Sequence, residues 1–244
     1  MNLIQTGFRD LDEVLGGGIP LSSVIILGSR PAMGKTSFLI SLYERMIKKY
    51  HKEEFNFECV SLENNKRSIS LNRQSDVNFE NFLFTSRSEG DIEENILDNL
   101  KFHKVNIIFI DSLQMIHVND SNYSNFLRKI KSLSVLHNCI FFISSQLNRK
   151  VEERPGHFPI LTDLKGFGEI EEFADQVWML VRREYYDPND KPGLAQIGLV
   201  KNNYGPNGRA NFCFQREIMN FTDYAPCVYE PTCESESEFD RFSP

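Results

Sequence analysis

Long apolar runs are missing from this sequence, and none approaches the roughly 18 residues that a membrane-spanning helix needs. The first residues, MNLIQTGFRDLDE, are polar and acidic, so we expect no signal peptide. Cysteine is sparse, and none of the five cysteines forms a C-x-x-C pair, which predicts neither a disulfide framework nor a zinc site. These absences predict a cytoplasmic protein that makes no membrane contact.

Positive charge is also in short supply, with 27 Lys and Arg against 34 Asp and Glu and a net charge of −7. A basic face for nucleic acid is therefore excluded, although a local group of Lys and Arg is not. Much of the acidic excess lies in residues 226–244, which we expect to form a disordered tail. The remaining residues, 1–225, have a length suited to one domain.

Apolar runs of strand length alternate with amphipathic runs of helix length along the chain. Strands are predicted at 23–28, 56–62, 104–111, 139–146, 176–182, 194–201 and 210–215, and helices at 35–50, 91–103 and 122–137. Continuously apolar strands separated by helices predict an α/β fold, with a mostly parallel central sheet flanked by helices. Such folds bind their ligands at the carboxyl ends of the strands.

The segment SRPAMGKT, residues 29–36, lies at the carboxyl end of the first of these strands. It lacks the first glycine of the phosphate-binding pattern G-x-x-x-x-G-K-[ST], because Ser29 stands there, but Gly34, Lys35 and Thr36 complete the rest. Such a loop turns backbone N–H groups and a helix N-terminus toward phosphate oxygens, while the Lys reaches the phosphates and the Thr hydroxyl binds Mg²⁺. The sequence therefore predicts a site for ATP and Mg²⁺. Its residues are Ser29, Arg30, Pro31, Ala32, Met33, Gly34, Lys35, Thr36 and Ser37.

Polar side chains end three more of the predicted strands. Asp111 follows IIFI, and its carboxylate suits Mg²⁺, although it could also cap the turn that follows. Glu63 ends VSLE and either polarises an attacking water or simply faces solvent at the start of a turn. Gln146 ends FFISSQ and either contacts a γ-phosphate or an attacking water, or is a polar cap on a buried strand.

The segment 147–168, LNRKVEERPGHFPILTDLKGFG, is long for a connection inside a compact domain. Loops of this length are usually functional or disordered, and a solvated surface loop is the alternative. The segment is rich in cationic side chains and contains a histidine. These residues are Arg149, Lys150, Arg154, His157 and Lys165.

Together these segments resemble the C-terminal motor domain of DnaB-type replicative helicases, a RecA-like P-loop NTPase. The matching text comprises TGFRDLD (6–12), SRPAMGKTSF (29–38), SLE (61–63), IIFIDSLQMI (107–116), SSQLNRKVEERP (144–155), DLKGFGEIEEFADQVWMLVRRE (163–184) and KNNYGPNG (201–208). It extends to about residue 222. Arg-Pro-x-Met before Gly-Lys-Thr, with a small residue in place of the first glycine, is typical of this family.

The resemblance implies an ATP-hydrolysing helicase motor that acts on single-stranded DNA, assembles into a homo-oligomer such as a hexameric ring, and works with other replication proteins. Lys35 and Thr36 would bind phosphate and Mg²⁺, and Asp111 would be the Walker B acid. Glu63 would be the catalytic base, and Gln146 would couple the γ-phosphate to the loop that follows. The implied DNA-binding residues are Arg149, Lys150, Arg154, Lys165, Gly166 and Gly168.

Three departures from the family pattern bear on function. Because the first residues already resemble the motor domain, we expect the chain to lack the N-terminal domain and linker of the family, and only about 44 residues separate Glu63 from Ile107, fewer than the family has. The family's K-x-R-x-G-P, which supplies a lysine and an arginine finger to a neighbouring subunit, reads KNNYGP here, so Lys201 remains while Asn203 replaces the arginine. Lys201 could supply part of the charge in trans, and Arg209 could compensate for the missing arginine.

Two alternatives stay open at this point. A chain without the arginine finger could bind nucleotide but hydrolyse it weakly or not at all, as an accessory protein of a replicative helicase. Alternatively, LDEVLGGGIP (11–20) is closer to the L-D-x-x-L-G-G-G of KaiC- and RadA-like ATPases, which would place the chain in a different branch of RecA-like proteins.

Overall fold

The computed structural model describes residues 3–50, 55–61, 82–83, 92, 94, 96–97, 105–116 and 123–225. Glu63, the predicted base, and the segment 226–244, the predicted tail, lie outside the described residues. Of the helix predicted at 91–103, the structure describes only Ile92, Glu94, Ile96 and Leu97, which are helical.

The fold is an α/β arrangement of short and long strands and of helices. The strands are β1 (Leu3–Ile4), β2 (Ile19–Pro20), β3 (Ser23–Ser29), β4 (Phe55–Ser61), β5 (Phe82–Leu83), β6 (Val105–Asp111), β7 (Ile140–Gln146), β8 (Gln176–Arg182), β9 (Leu194–Asn202), β10 (Gly208–Gln215) and β11 (Asn220–Asp223). The helices are α1 (Arg9–Val14), α2 (Lys35–Lys49), α3 (Ser124–His137) and α4 (Phe167–Phe173). None of the helices among the described residues combines the length and apolar composition that crossing a bilayer requires.

Within the described residues, nine strands form one sheet in the order β11-β10-β9-β8-β3-β7-β6-β4-β5. The strands from β8 to β5 are parallel, while β9, β10 and β11 add to the β8 edge in antiparallel fashion. The prediction of a mostly parallel central sheet flanked by helices is confirmed. The antiparallel direction of the last three strands was not part of that prediction.

Helices cover both faces of the sheet because the inner strands are apolar on both faces. Ile25 and Leu27 of β3 point into the core beneath α2, while the intervening Val24 and Ile26 point into the core on the opposite face, beneath α3 and α4. Alternate residues of a strand face opposite sides of a sheet, so an uninterrupted apolar run buries both. The parallel strands therefore end together at one edge, where Ser29, the last residue of β3, is in register with Gln146, the last residue of β7.

Candidate nucleotide site and the adjoining basic loop

The carboxyl edge of the parallel strands brings together most of the predicted catalytic and nucleotide-binding residues. Ser29, Asp111 and Gln146 end the three neighbouring strands β3, β6 and β7. The backbone N–H of Leu147 donates to the carbonyl of Ser29 at 3.1 Å, which extends the pairing of β3 and β7 one residue past their ends. The side chains that the sequence places at strand ends therefore share one edge of the sheet.

Ser29 can occupy the position of the usual first glycine because it is the last residue of β3 and has the extended backbone that any residue adopts. Its side chain is fully buried, and its hydroxyl donates to the carbonyl of Arg30 at 3.1 Å. The hydroxyl is therefore satisfied locally.

Gly34, by contrast, needs to be a glycine. It precedes the first residue of α2 with φ 90° and ψ 26°, a left-handed conformation that costs other residues free energy. A Cβ at this position would lie 3.1 Å from a ring carbon of Phe221, so the space is also closed. The first turn of α2 follows directly on the segment 29–34, and a helix N-terminus that follows such a loop is the arrangement that a phosphate requires.

Thr36 and Asp111 form the most direct link across this edge. The Thr36 hydroxyl donates to Oδ2 of Asp111 at 2.6 Å, and Asp111 is 3% exposed. A hydroxyl beside a carboxylate is the oxygen donor set that Mg²⁺ takes in P-loop proteins, so these residues fit the predicted ion. Lys35, directly before Thr36, begins α2 at the same edge and is 8% exposed.

Two residues of the site were not predicted from the sequence. Ser144 donates its hydroxyl to Oδ1 of Asp111, which fixes the carboxylate from the neighbouring strand. Gln114 donates from Nε2 to the Ser145 hydroxyl at 2.8 Å and accepts at Oε1 from the backbone N–H of Gln146 at 2.9 Å. The polar run SSQ at the end of an apolar strand could have indicated Ser144 from the sequence. Its hydrogen bond to Asp111, however, follows only from the register of β6 and β7.

The remaining residues of the SRPAMGKT segment divide into buried and exposed ones. Met33 is 1% exposed and anchors the turn, while Pro31 and Ala32 are exposed, with Ala32 at φ 63°. Ser37 is buried in the first turn of α2. The guanidinium of Arg30 points out of the segment and contacts the loop after β7.

The segment 147–168 is an ordered loop made of short 3-10 turns. Leu147 and Leu164 form an antiparallel bridge at its base, which the N–H groups of Asn148 and Lys165 extend by donating to the carbonyls of Asp163 at 2.7 Å and Gln146 at 3.2 Å. The base packs tightly on the sheet: a Cβ at Gly28 would lie 2.9 Å from Leu164, 3.2 Å from Leu147 and 2.8 Å from Sδ of Met179.

Arg154 stabilises the loop from inside. Its guanidinium binds the 2% exposed carboxylate of Asp163 with two hydrogen bonds, at 2.9 and 3.2 Å, and donates to the carbonyl of Phe158 at 2.7 Å. The hydrogen bond to Asp163 raises the pKa of Arg154. These contacts use both terminal nitrogens, and the predicted DNA-binding role of Arg154 stays a prediction.

The other cations of the loop face solvent. Arg149, Lys150 and Lys165 are exposed, in the first turn of the loop and at its end. Gly166 precedes α4 with φ 79°, and a Cβ there would lie 3.2 Å from the ring of Tyr123, while Gly168 has no atom within 4 Å of such a Cβ. The structure thus presents a small cationic surface beside the nucleotide site, called here the basic surface and consisting of Arg149, Lys150 and Lys165.

Lys201 lies at the opposite edge of the sheet. Its Nζ donates to the carbonyls of Glu171 and Ala174, both at 2.6 Å, where it caps the C-terminus of α4, and burial lowers its pKa. Asn203 follows, with its N–H bonded to the carbonyl of Asp175. A catalytic role for Lys201 would require a second copy of the chain, and it stays a prediction.

Arg209 lies on β10, and its guanidinium stacks 4.2 Å over the ring of Phe158. The stacking joins β10 to the loop that carries the basic surface. The proposed compensation of Arg209 for the missing arginine also stays a prediction.

The sequence of the chain is similar to those of known replicative helicases. The sequence model of the family described as the DnaB-like helicase C terminal domain matches residues 4–101 and 87–223. A probable replicative DNA helicase from Trieres chinensis is 28% identical over 262 residues, which cover 91% of this chain and 57% of that protein. The replicative DNA helicase DnaB of Mycoplasma genitalium is 26% identical, with the same coverage. The chain thus spans little more than half the length of these relatives.

Solved structures resemble the chain in fold. One of them, described as an ATPase domain, superimposes with a TM-score of 0.76 at 22% identity and covers 91% of both chains. A DnaB-like replicative helicase, studied for its interactions with primase, superimposes with a TM-score of 0.75 at 23% identity, over 91% of this chain and 62% of that one. The α/β sheet is therefore a RecA-like fold of the kind found in these ATPase domains.

Proposed function

Because the chain belongs to the family of DnaB-like helicase C-terminal domains, we propose that it is an ATP-hydrolysing motor that acts on single-stranded DNA during replication. The observation that carries the proposal is the hydrogen bond between Thr36 and Asp111, which joins the start of α2 to the end of β6 at the phosphate-binding turn. The family match favours this function over the nonhydrolysing accessory protein and over a KaiC- or RadA-like ATPase.

Nucleotide binding is assigned to the turn between β3 and α2. The N–H groups at the start of α2 and the ammonium group of Lys35 would bind the phosphates, and Thr36 and Asp111 would hold Mg²⁺. The ion, when bound, neutralises negative charge on the phosphates. Ser144 keeps the Asp111 carboxylate in place, so the chain's contribution is a rigid set of oxygen donors.

Hydrolysis is assigned to Glu63 and Gln146. Glu63 would take a proton from the attacking water, a role that rests on the family resemblance. Gln146 would respond to the γ-phosphate. Its backbone N–H donates to Oε1 of Gln114 at 2.9 Å, which fixes its main chain at the end of β7 and supports this role. Gln146 also leads directly into the loop that carries the basic surface, so a movement of its side chain has a short path to that loop.

DNA binding is assigned to the basic surface and to the glycines that follow it. Arg149, Lys150 and Lys165 are exposed and would contact DNA phosphates, while Gly166 and Gly168 allow close approach of the backbone. A site of three cations suits an acidic protein, because the remaining surface repels DNA and confines it to this place. A motor of this kind would work in the cytoplasm, with the replication proteins it would serve.

Assembly into a homo-oligomer, such as a hexameric ring, would bring Lys201 of one copy near the nucleotide of the next. The side chain now caps its own α4, so it would have to exchange those carbonyls for a phosphate. Asn203 carries no charge, which leaves Lys201 and Arg209 as the cations proposed to act in trans.

The test is steady-state ATP hydrolysis at increasing protein concentration, with and without oligothymidylate. We expect the activity per chain to rise with concentration and with DNA, because the site is completed between copies and the basic surface is coupled to it. Lys35→Ala is the control and should abolish nucleotide binding. A rate that equals the Lys35→Ala background at every concentration would contradict the motor function.

A further inference from the structure

Arg30, the second residue of the SRPAMGKT segment, makes its side-chain contacts outside that segment. Its Nε donates to Oε1 of Glu152 at 2.9 Å, and its Nη2 lies 2.7 Å from the same oxygen. Its Nη1 donates to the carbonyl of Leu147 at 2.9 Å. The guanidinium therefore joins the nucleotide-binding turn to the loop that carries the basic surface.

The ion pair between Arg30 and Glu152 is partly shielded from solvent. The Arg30 side chain is 14% exposed and the Glu152 side chain 40%. Tyr186 stacks on His157 of the same loop with ring centroids 4.0 Å apart. Burial raises the pKa of Tyr186, and the charge of Glu152 raises it further. Because the Arg30 end is largely withdrawn from solvent while Glu152 stays exposed, the pair is screened less than one between two fully exposed side chains, and it joins the two segments.

Glu152 belongs to the 3-10 turn Arg149–Glu153, which also carries Arg149 and Lys150 of the basic surface. The start of this turn is fixed, because the side chain of Asn148 accepts from the N–H of Lys150 at 3.0 Å. The residue before Asn148 is paired with Ser29. A displacement of Arg30 would therefore move a compact turn with its two exposed cations.

We propose that Arg30 is a positioning residue that couples nucleotide binding to DNA binding through its ion pair with Glu152, an inference that rests on the proposed function. The phosphates of a bound nucleotide are anions beside Arg30, and they compete with Glu152 for its guanidinium. The pair then has two arrangements, which place the turn with Arg149 and Lys150 differently. Nucleotide and DNA favour the same arrangement, so each changes the affinity of the other by the same factor.

The test is a thermodynamic cycle on the full chain. The affinity of a fluorescent, nonhydrolysable ATP analogue with Mg²⁺ is measured with and without saturating oligothymidylate, for wild type and for Glu152→Gln. We expect the wild-type ratio of the two affinities to be about fivefold or more, the usual size of a coupling between sites. In Glu152→Gln the ratio should fall to within about twofold of 1, while nucleotide affinity without DNA is retained or increased.

Glu153→Gln is the matched control. Glu153 is exposed in the same turn and carries the same charge, so its substitution removes one negative charge near the basic surface and leaves the pair with Arg30 in place. We expect its affinity ratio to equal that of wild type. Thermal unfolding of both variants should match wild type, which separates positioning from a general loss of structure.

Each other outcome contradicts the inference in a recognisable way. An unchanged ratio in Glu152→Gln, or an equal loss in both variants, would exclude a specific role for the ion pair. Wild-type binding of both ligands without coupling would also overturn the inference but leave the proposed function standing. If wild type bound neither nucleotide nor DNA, the proposed function itself would fail, and the inference with it.

A second measurement uses wild type alone. Hydrogen exchange of the backbone N–H groups of residues 149–153 is compared with and without the ATP analogue. We expect exchange to change in this turn when nucleotide binds. No change there, in a protein that binds the analogue, would overturn the inference.

Discussion

Ser144 holds the carboxylate of Asp111 from the neighbouring strand. Its hydroxyl donates to Oδ1 of Asp111, while Thr36 occupies Oδ2. We predict that Ser144→Ala lowers the Mg²⁺ affinity measured in ATP hydrolysis by about 10- to 100-fold, because a metal-binding carboxylate without its supporting hydrogen bond loses its orientation. A titration of the hydrolysis rate with Mg²⁺ measures this effect.

Ser145→Ala is the control for that titration. Ser145 is also buried in β7, but it accepts from Gln114 and makes no hydrogen bond to Asp111. Its Mg²⁺ requirement should match that of wild type. If Ser144→Ala needs no more Mg²⁺ than Ser145→Ala, then Ser144 does not support the ion.

Gly34 is the residue on which the shape of the turn between β3 and α2 depends. With φ 90° and a Phe221 ring carbon 3.1 Å from the site of a Cβ, alanine is both strained and crowded there. We predict that Gly34→Ala lowers the free energy of unfolding by about 1–2 kcal/mol or more, the cost of a left-handed backbone. Urea unfolding without nucleotide gives this value.

Gly168→Ala provides the comparison for Gly34→Ala. Gly168 lies in α4, and a Cβ there meets no atom within 4 Å. Alanine in a helix is favoured over glycine by about 1 kcal/mol, so this variant should be as stable as wild type or more so. A Gly34→Ala variant as stable as Gly168→Ala would show that the turn tolerates a side chain at position 34.

At the scale of elements, the loop 147–168 owes its order to the ion pair of Arg154 and Asp163. The Asp163 side chain is 2% exposed and the Arg154 side chain 31%. We predict that Arg154→Met lowers the free energy of unfolding by about 3 kcal/mol, because it leaves a buried carboxylate without its partner. Urea unfolding measures the loss, and limited proteolysis should show cleavage in the loop.

The matched substitution is Arg149→Met, which removes the same charge from an exposed position of the same loop. It should leave stability within about 0.5 kcal/mol of wild type, as surface changes usually do. A reduced DNA affinity with normal stability in Arg149→Met, and a reduced stability with normal DNA affinity in Arg154→Met, would separate the DNA-contacting role from the structural one.

The long elements were predictable because their apolar pattern is strong. The strand predicted at 23–28 is Ser23–Ser29, the strand at 176–182 is Gln176–Arg182, and the helix at 122–137 is Ser124–His137. Short elements were not predicted, including α1, α4 and the strands of two to four residues. A segment of so few residues contains too little periodicity to distinguish strand from turn.

The site was predictable only where a residue ends a strand or begins the helix after it. Thr36, Asp111 and Gln146 follow this rule, because parallel strands end at one edge. Ser144 and Gln114 act through partners on other elements, and those contacts depend on register, which no local pattern encodes. The ion pair of Arg154 with Asp163 was not predicted for the same reason, and Arg154 was predicted to bind DNA instead.

At the scale of the whole molecule, the charge distribution predicts how the proposed DNA binding depends on salt concentration. The chain has a net charge of −7, and the basic surface holds three exposed cations. If the three cations contact about three phosphates of single-stranded DNA, a plot of the logarithm of affinity against the logarithm of salt concentration should have a slope near −2. Lys165→Ala should reduce that slope by about 0.7, in a titration with oligothymidylate.

Lys49→Ala serves as the reference for the salt titration. Lys49 is exposed at the far end of α2, which starts at the nucleotide site and runs away from it. Its removal changes the net charge by the same amount as Lys165→Ala. Because Lys49 lies away from the basic surface, the slope should stay at the wild-type value. Equal effects of the two substitutions would indicate binding through the overall field of the protein and contradict a local site.

The glycine beneath the loop has a consequence for recombining this chain with its relatives. Gly28 leaves room for Leu147, Leu164 and Met179, each within 3.2 Å of where its Cβ would be. The packing of the loop on β3 therefore depends on the absence of a side chain at position 28. In a chimera that takes the segment 147–164 from another protein, the loop will pack on the sheet only when position 28 stays glycine. The residues that replace Leu147 and Leu164 must also match leucine in volume.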